Sequence, residues 1–185
     1  MDKLIVINKE MDMTSHDLVN IVRRSTRLKR VGHTGTLDPN ATGVMVIAMN
    51  KATKLVTYLQ NDDKEYVLEM KLGLLTDTLD IWGKTLEEVD VNPPTKEELQ
   101  LVLKTFIGKS EPIPQMYSAI KVDGKKLYEL AREDIVIERE SRPIEIYDIE
   151  LLEYNEMIKI RVVCSSGTYV RSLVSDIAEK LGTIG

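Results

Sequence analysis

Val31-Gly32-His33-Thr34-Gly35-Thr36-Leu37-Asp38-Pro39-Asn40-Ala41-Thr42-Gly43 sets one carboxylate among three glycines, three threonines and a proline. Glycine opens backbone conformations that are closed to other residues. Pro39 fixes its own φ and drives Asp38 toward an extended backbone. Asp38 is therefore expected on a tightly shaped, non-helical loop. Five cations, Arg23, Arg24, Arg27, Lys29 and Arg30, stand within eight residues just before it. Residues 44–49, Val-Met-Val-Ile-Ala-Met, read as a buried strand just after it. By composition alone the stretch is a turn, because Gly, Thr, Asp and Pro cluster in turns. A carboxylate held between a basic segment and a core strand is also the layout of an active site, and both readings stand at this level.

The chain has 185 residues, the size of one ordinary domain or of one domain with a small appendage. With 43% hydrophobic and 30% charged residues it belongs with soluble globular proteins. No apolar run approaches the roughly 20 residues that span a bilayer. The N-terminal residues are too short an apolar run, and too charged, for a signal peptide. One cysteine, Cys164, excludes an internal disulfide, and two histidines do not suggest a zinc site. A cytoplasmic protein without a metal or cofactor is expected. The net charge of −5 argues against a general polyanion binder. The balance is uneven, however: residues 1–40 carry seven Lys/Arg against five Asp/Glu, and the rest of the chain is net acidic. A local basic patch on an acidic body suits a specific nucleic-acid contact.

Residues 4–7 read as a strand. Thr14 or Ser15 can cap a helix through residues 17–22, with arginines in its last turn as the helix dipole favours. Residues 51–59 read as a short helix, preceded by Asn50, which tolerates left-handed geometry. Residues 64–73 alternate as a strand. Residues 76–83, Thr-Asp-Thr-Leu-Asp-Ile-Trp-Gly, read as a turn knitted by side-chain hydrogen bonds to its own backbone. Pro93, Pro94 and Thr95 open a helix over residues 96–107, with Gly108 as its stop. Residues 135–139, 144–152 and 157–164 read as strands, and a helix follows from residue 165 to Lys180. Many strands with few helices predict an α+β domain on a mixed, largely antiparallel sheet.

Three segments carry a resemblance: the Asp38 loop, Lys64-Glu65-Tyr66, and Gly167-Thr168-Tyr169-Val170-Arg171. Together they resemble the TruB-type tRNA pseudouridine synthases, over nearly the whole chain. The Thr34-Gly35 form of the first motif is similar to the stand-alone bacterial branch. Where the family has a Lys-Pro pair and a Gly ahead of Thr-Ser-His, this chain has Lys9-Glu10-Met11-Asp12-Met13 before Thr14-Ser15-His16. Here His16 reads as a helix-start residue. The resemblance implies a pseudouridine synthase fold with an RNA-facing insertion at about residues 109–140. It also implies isomerisation of the T-loop uridine called position 55 in tRNA, with the base flipped out of its stack.

In that reaction the base is detached, turned and rejoined through carbon. Asp38 is the implied nucleophile, a role that suits a carboxylate ionised near neutrality. Attack on the sugar and attack on the base both remain open. Arg171 is expected to pair with Asp38. Tyr66 is expected to stack on the uracil, with its hydroxyl near the proton that leaves C5. His33 is expected to enter the RNA loop. Arg23, Arg24, Arg27, Lys29 and Arg30, with Lys121, Lys125 and Lys126 on the insertion, are candidates for phosphate contacts. The expected partner is the T-arm stem-loop of tRNA, with no membrane and no obligatory protein partner.

Residues 1–185 are read as a catalytic domain short at its C-terminus, without the small RNA-binding domain that family members usually add. On that expectation, part of the apolar stripe of the last helix, at Val170, Leu173, Val174, Ile177 and Leu181, is left uncovered. A catalytically incomplete RNA-binding or RNA-folding module is the alternative. A phosphate cradle for a nucleotide is the third reading. It lacks the Gly-Lys-Ser/Thr that such a loop needs, and Asp38 would repel the phosphate.

Overall fold

A computed structural model describes residues 2–114, 121–122, 124–127, 130 and 135–185. Residues 115–120, 128–129 and 131–134 of the expected RNA-facing insertion lie outside the described residues, as do Asp123 and the side chains of Lys121, Lys125 and Lys126. The chain forms two compact units, Met1–Asp62 and Asp63–Gly185.

The first unit has the order β1 (Lys3–Lys9), α1 (Ser15–Thr26), β2 (Val31–His33), β3 (Gly43–Met49), a 3₁₀ turn (Asn50–Leu55) and α2 (Val56–Leu59). β3 lies between β1 and β2 and is antiparallel to both. Thr14 caps α1: its hydroxyl accepts the Asp17 N–H, and the Asp17 carboxylate accepts the Thr14 N–H. Leu18, Val19 and Val22 recur on one face of α1 and bury against Val31, Met45, Ile47 and Met49 of the sheet. Each such apolar side chain contributes roughly 1.5–3 kcal/mol when fully buried. Residues 44–49 do form a strand, but Val44 at its start faces solvent. Asn50 takes the expected left-handed conformation, with φ 52°. Residues after it wind first as a 3₁₀ turn and only then as α2, so the expected helix is split.

The second unit has the order β4 (Lys64–Met70), β5 (Leu74–Thr76), β6 (Thr85–Glu88), α3 (Lys96–Lys104), β7 (Gly108–Ser110), β8 (Lys121–Val122), β9 (Lys125–Lys126), β10 (Ile144–Tyr154), β11 (Ile158–Cys164) and α4 (Val170–Lys180). Its main sheet runs β4-β11-β10-β7, with β5-β6 and β8-β9 as separate two-stranded ribbons. Every strand pair among the described residues is antiparallel. The α+β class stands. β11 alternates in burial along its whole length. Ile158, Ile160, Val162 and Cys164 join Leu99 and Leu103 of α3 and Leu173, Ile177 and Ala178 of α4 in one core. The opposite face of the sheet is exposed. There Arg161 meets Glu65, Asp148 and Glu150, and Lys159 meets Glu69 and Glu153. Exposed pairs of this kind add little stability each.

Three expectations from the sequence are corrected. Residues 135–139 form no strand: the Ile135 N–H bonds back to Leu130 and the Arg142 N–H to Pro112, and no ladder runs beside the alternating side chains among the described residues. α3 stops at Lys104, and the N–H groups of Thr105, Phe106 and Ile107 turn to carbonyls three residues back. The last helix starts at Val170 rather than Ser165, because Gly167 sits at φ 85°, outside helical geometry. Of the apolar stripe of α4, Leu173 and Ile177 are buried with Ala178, while Val170, Val174 and Leu181 are partly buried against the same core.

Candidate active-site elements

Asp38 is half-buried on the loop between β2 and β3, and its neighbours are pinned on several sides. Residues 38–41 form a β-turn closed by the Ala41 N–H on the Asp38 carbonyl at 3.0 Å, with Pro39 where a proline's φ suits such a turn. The Asp12 N–H holds the Pro39 carbonyl at 3.0 Å, and Thr34 N–H reaches the Val46 carbonyl at 3.1 Å. Ser15, buried in the first turn of α1, accepts the Leu37 N–H at 2.9 Å and donates to the Leu37 carbonyl at 3.1 Å. Thr14 takes the cap, and Ser15 clamps the loop. His16 is exposed in the first turn of α1, a helix-start residue as expected.

Lys9 has no solvent-accessible surface, and nothing in its sequence neighbourhood signals this role. Its Nζ donates to the carbonyls of Glu10 at 2.9 Å, Met13 at 2.8 Å and Pro39 at 3.3 Å. One ammonium thus ties the loop before α1 to the residue after Asp38. Burial pushes the Lys9 amine below its usual range, and the carboxylates of Asp12 and Asp38 oppose that shift. Lys9→Met takes the ammonium from three carbonyls, of which those of Glu10 and Met13 lose this donor outright and that of Pro39 keeps the Asp12 N–H. It is expected to cost about 2–4 kcal/mol in urea unfolding, since each orphaned buried polar group costs roughly 1–3 kcal/mol. A midpoint equal to the parent's would show that Lys9 does not hold the loop.

The basic residues divide. Arg23 is half-buried and spans from Asn20 Oδ1 at 3.2 Å to the Val31 carbonyl at 3.1 Å, so it braces α1 against β2. Arg24, Arg27, Lys29 and Arg30 are exposed to differing degrees along the segment that leaves α1. Arg27 closes α1 in a left-handed conformation, at φ 56°. Arg23, Lys29, Arg30 and His33 line one open depression of about 570 Å³ with Thr53 and Val56. Arg24 and Arg27 are not among its lining residues. Burial lowers the His33 imidazole below its ordinary range, against a hydrogen bond to the Gly35 backbone.

In the second unit, Tyr66 sits on β4 opposite Val162 of β11, half-buried against the core. Arg171 is the second residue of α4. A cation in a first turn opposes the helix dipole, so this position needs an outside reason. Arg171 Nη1 donates to the Thr78 carbonyl at 2.7 Å and lies 3.9 Å from Asp80 Oδ2, with both side chains less than a fifth exposed. The turn that offers these groups is tightly knitted. Thr76 Oγ1 donates to the Asp80 carbonyl and accepts the Asp80 N–H. Asp80 Oδ1 accepts from the Thr78 hydroxyl and the Trp82 N–H, and Asp77 Oδ1 accepts the Lys84 N–H. The expected side-chain-to-backbone bonds are present. The partnership of Asp80 with Arg171, far away in the chain, had no local signal.

A family model described as TruB family pseudouridylate synthase (N terminal domain) matches residues 23–170. The chain is 48% identical over 183 residues to tRNA pseudouridine synthase B of Clostridium tetani, covering 98% of this chain and 63% of that protein. It is 48% identical over 186 residues to tRNA pseudouridine synthase B of Alkaliphilus oremlandii, covering 100% of this chain and 62% of that protein. The chain therefore spans a little under two thirds of these relatives. Among solved structures, a Cbf5-Nop10-Gar1 complex contains a chain similar over 98% of this one and 45% of its own length, at 31% identity and a TM-score of 0.74. An H/ACA RNP bound to a substrate RNA containing 2'-deoxyuridine gives 29% identity and a TM-score of 0.69, over 98% of this chain and 43% of that one.

Proposed function

The chain belongs to the TruB family of pseudouridylate synthases, and from that membership we propose that it isomerises the T-loop uridine of tRNA, position 55, to pseudouridine. The observation that carries the proposal is the likeness, along almost the whole chain, to relatives named tRNA pseudouridine synthase B. The pinned loop supports Asp38 as nucleophile, since a carboxylate that attacks must be presented in one geometry. The N1–C1′ bond breaks, the uracil turns, and C5–C1′ forms; a proton leaves C5 and N1 takes one up, so no oxidant or reductant is consumed. Arg171 pairs with Asp38 and favours its ionised form. Asp80, beside Arg171, is a positioning residue that orients the guanidinium. Tyr66 stacks on the extruded uracil, near the departing C5 proton.

The uridine has to leave its stack, at a cost of a few kcal/mol, so the surrounding T-arm must be gripped. His33 enters the RNA loop, and the exposed cations of residues 24–30, with Lys121, Lys125 and Lys126, contact phosphates. The setting proposed is the cytoplasm; no helix among the described residues is long and apolar enough to cross a membrane.

Release of tritium from C5-labelled uridine in a T-arm stem-loop tests the reaction. Tight binding with no release would instead support an RNA-binding module without chemistry. Neutralising Arg27, Lys29 and Arg30 together is expected to weaken T-arm binding and flatten its salt dependence. Removing one cation from a phosphate should reduce the slope of log K against log salt by about 0.7–0.9. An unchanged slope, read by fluorescence anisotropy across a salt series, would make these side chains a solvated helix end and nothing more.

A further inference from the structure

We propose that Trp82, with Ile81 beside it, is a stacking platform for an unpaired base of the RNA substrate. This rests on the RNA reading above. Trp82 is the chain's single tryptophan, and it is 51% exposed, while Ile81 is 74% exposed. The two large apolar side chains stand exposed side by side at one turn tip.

The tip is held rather than loose. The Trp82 N–H bonds to Asp80 Oδ1 at 3.0 Å, and Gly83 N–H to the Asp80 carbonyl at 3.1 Å. A Cβ at Gly83 would come within 3 Å of the Thr76, Asp77 and Thr78 side chains, so another residue there would force them to shift. Leu79 is forced to φ 54°, a conformation that a branched side chain adopts only when its surroundings dictate it. The same turn gives its Thr78 carbonyl and Asp80 carboxylate to Arg171. The indole therefore stands two residues from a group that orients the proposed catalytic arginine.

Size and charge select the occupant. Two side chains are too little for a stable protein interface, which buries about 1,200 Å² or more. They suit one base, whose π-face stacks on an aromatic ring whatever its sequence. Of the acidic groups at the tip, Asp80 lies 3.9 Å from the Arg171 guanidinium, which offsets its charge toward an RNA. Flipping a uridine leaves unstacked neighbours in the loop, which supply such a base.

A lone tryptophan makes the test direct. Indole emission and anisotropy of a labelled T-arm stem-loop are followed in one titration. Quenching that tracks binding is expected with the stem-loop and not with the same stem as a blunt duplex. Trp82→Ala should raise the Kd of the stem-loop by about fivefold to a hundredfold, and Trp82→Phe by no more than about threefold. Equal quenching by the blunt duplex would overturn the unpaired-base contact. Binding with unchanged emission, or equal affinity of the two variants, would overturn the inference and leave the tip to a protein partner. No binding of the stem-loop at all would overturn the RNA reading, and this inference with it.

Discussion

Asp38→Asn is expected to lower pseudouridine formation by roughly a thousandfold or more, with T-arm affinity within about tenfold of the parent. Asparagine keeps the shape of the side chain and removes the charge that makes it a nucleophile. The bonds that pin the loop run through the Thr34, Leu37 and Ala41 N–H groups, the Leu37, Asp38 and Pro39 carbonyls, Ser15 Oγ and Lys9 Nζ. The substitution leaves all of these bonds in place. Losing the Asp38 carboxylate also removes one of the two charges that favour the protonated form of Lys9. A small drop in stability is therefore expected, separable from turnover by comparing urea midpoints. Single-turnover tritium release is the measurement; a rate above a few per cent of the parent would remove Asp38 from the nucleophile role.

Arg171→Lys is expected to reduce turnover by about a hundredfold although the charge is retained. Arg171 already spends one guanidinium nitrogen on the Thr78 carbonyl at 2.7 Å and faces Asp80 at 3.9 Å. A planar fork can hold those groups and still present further N–H donors to a second carboxylate, whereas a single ammonium cannot reach both sides. Misplacement by about 1 Å at a reacting site can cost on the order of a hundredfold in rate. If Asp80 acts by orienting Arg171, Asp80→Asn should lower kcat and leave T-arm affinity near the parent's. Adding Asp80→Asn to Arg171→Lys should then cost little more. Near-normal turnover of the Arg171→Lys chain would separate Arg171 from Asp38.

The features legible in the sequence were those whose cause is local. Pro39 among glycines announces a turn at Asp38, and the turn closes on the Ala41 N–H. Thr14 or Ser15, and Pro93-Pro94-Thr95, announce helix starts, and in the fold Thr14 and Thr95 form the capping boxes. The alternation in residues 144–152 falls within β10, and residues 157–164, read as a strand, become β11. The same signal failed at residues 135–139, because alternation states which face an extended chain would bury and is silent on whether a partner strand lies alongside.

The sequence alone determined the class of fold, the rigid turn that carries Asp38 and, through resemblance, the family. These depend on backbone preferences and side-chain periods that act within a few residues. Tertiary structure decided that Lys9 is buried and joins the loop before α1 to Pro39, that Ser15 clamps Leu37 while Thr14 caps, and that Arg23 braces α1. It also decided that Arg171 enters α4 against the helix dipole because Thr78 and Asp80 await it. A lysine or arginine reads as a solvated cation in any short window. Its burial and partners depend on which distant carbonyls and carboxylates the packed strands bring within hydrogen-bond reach.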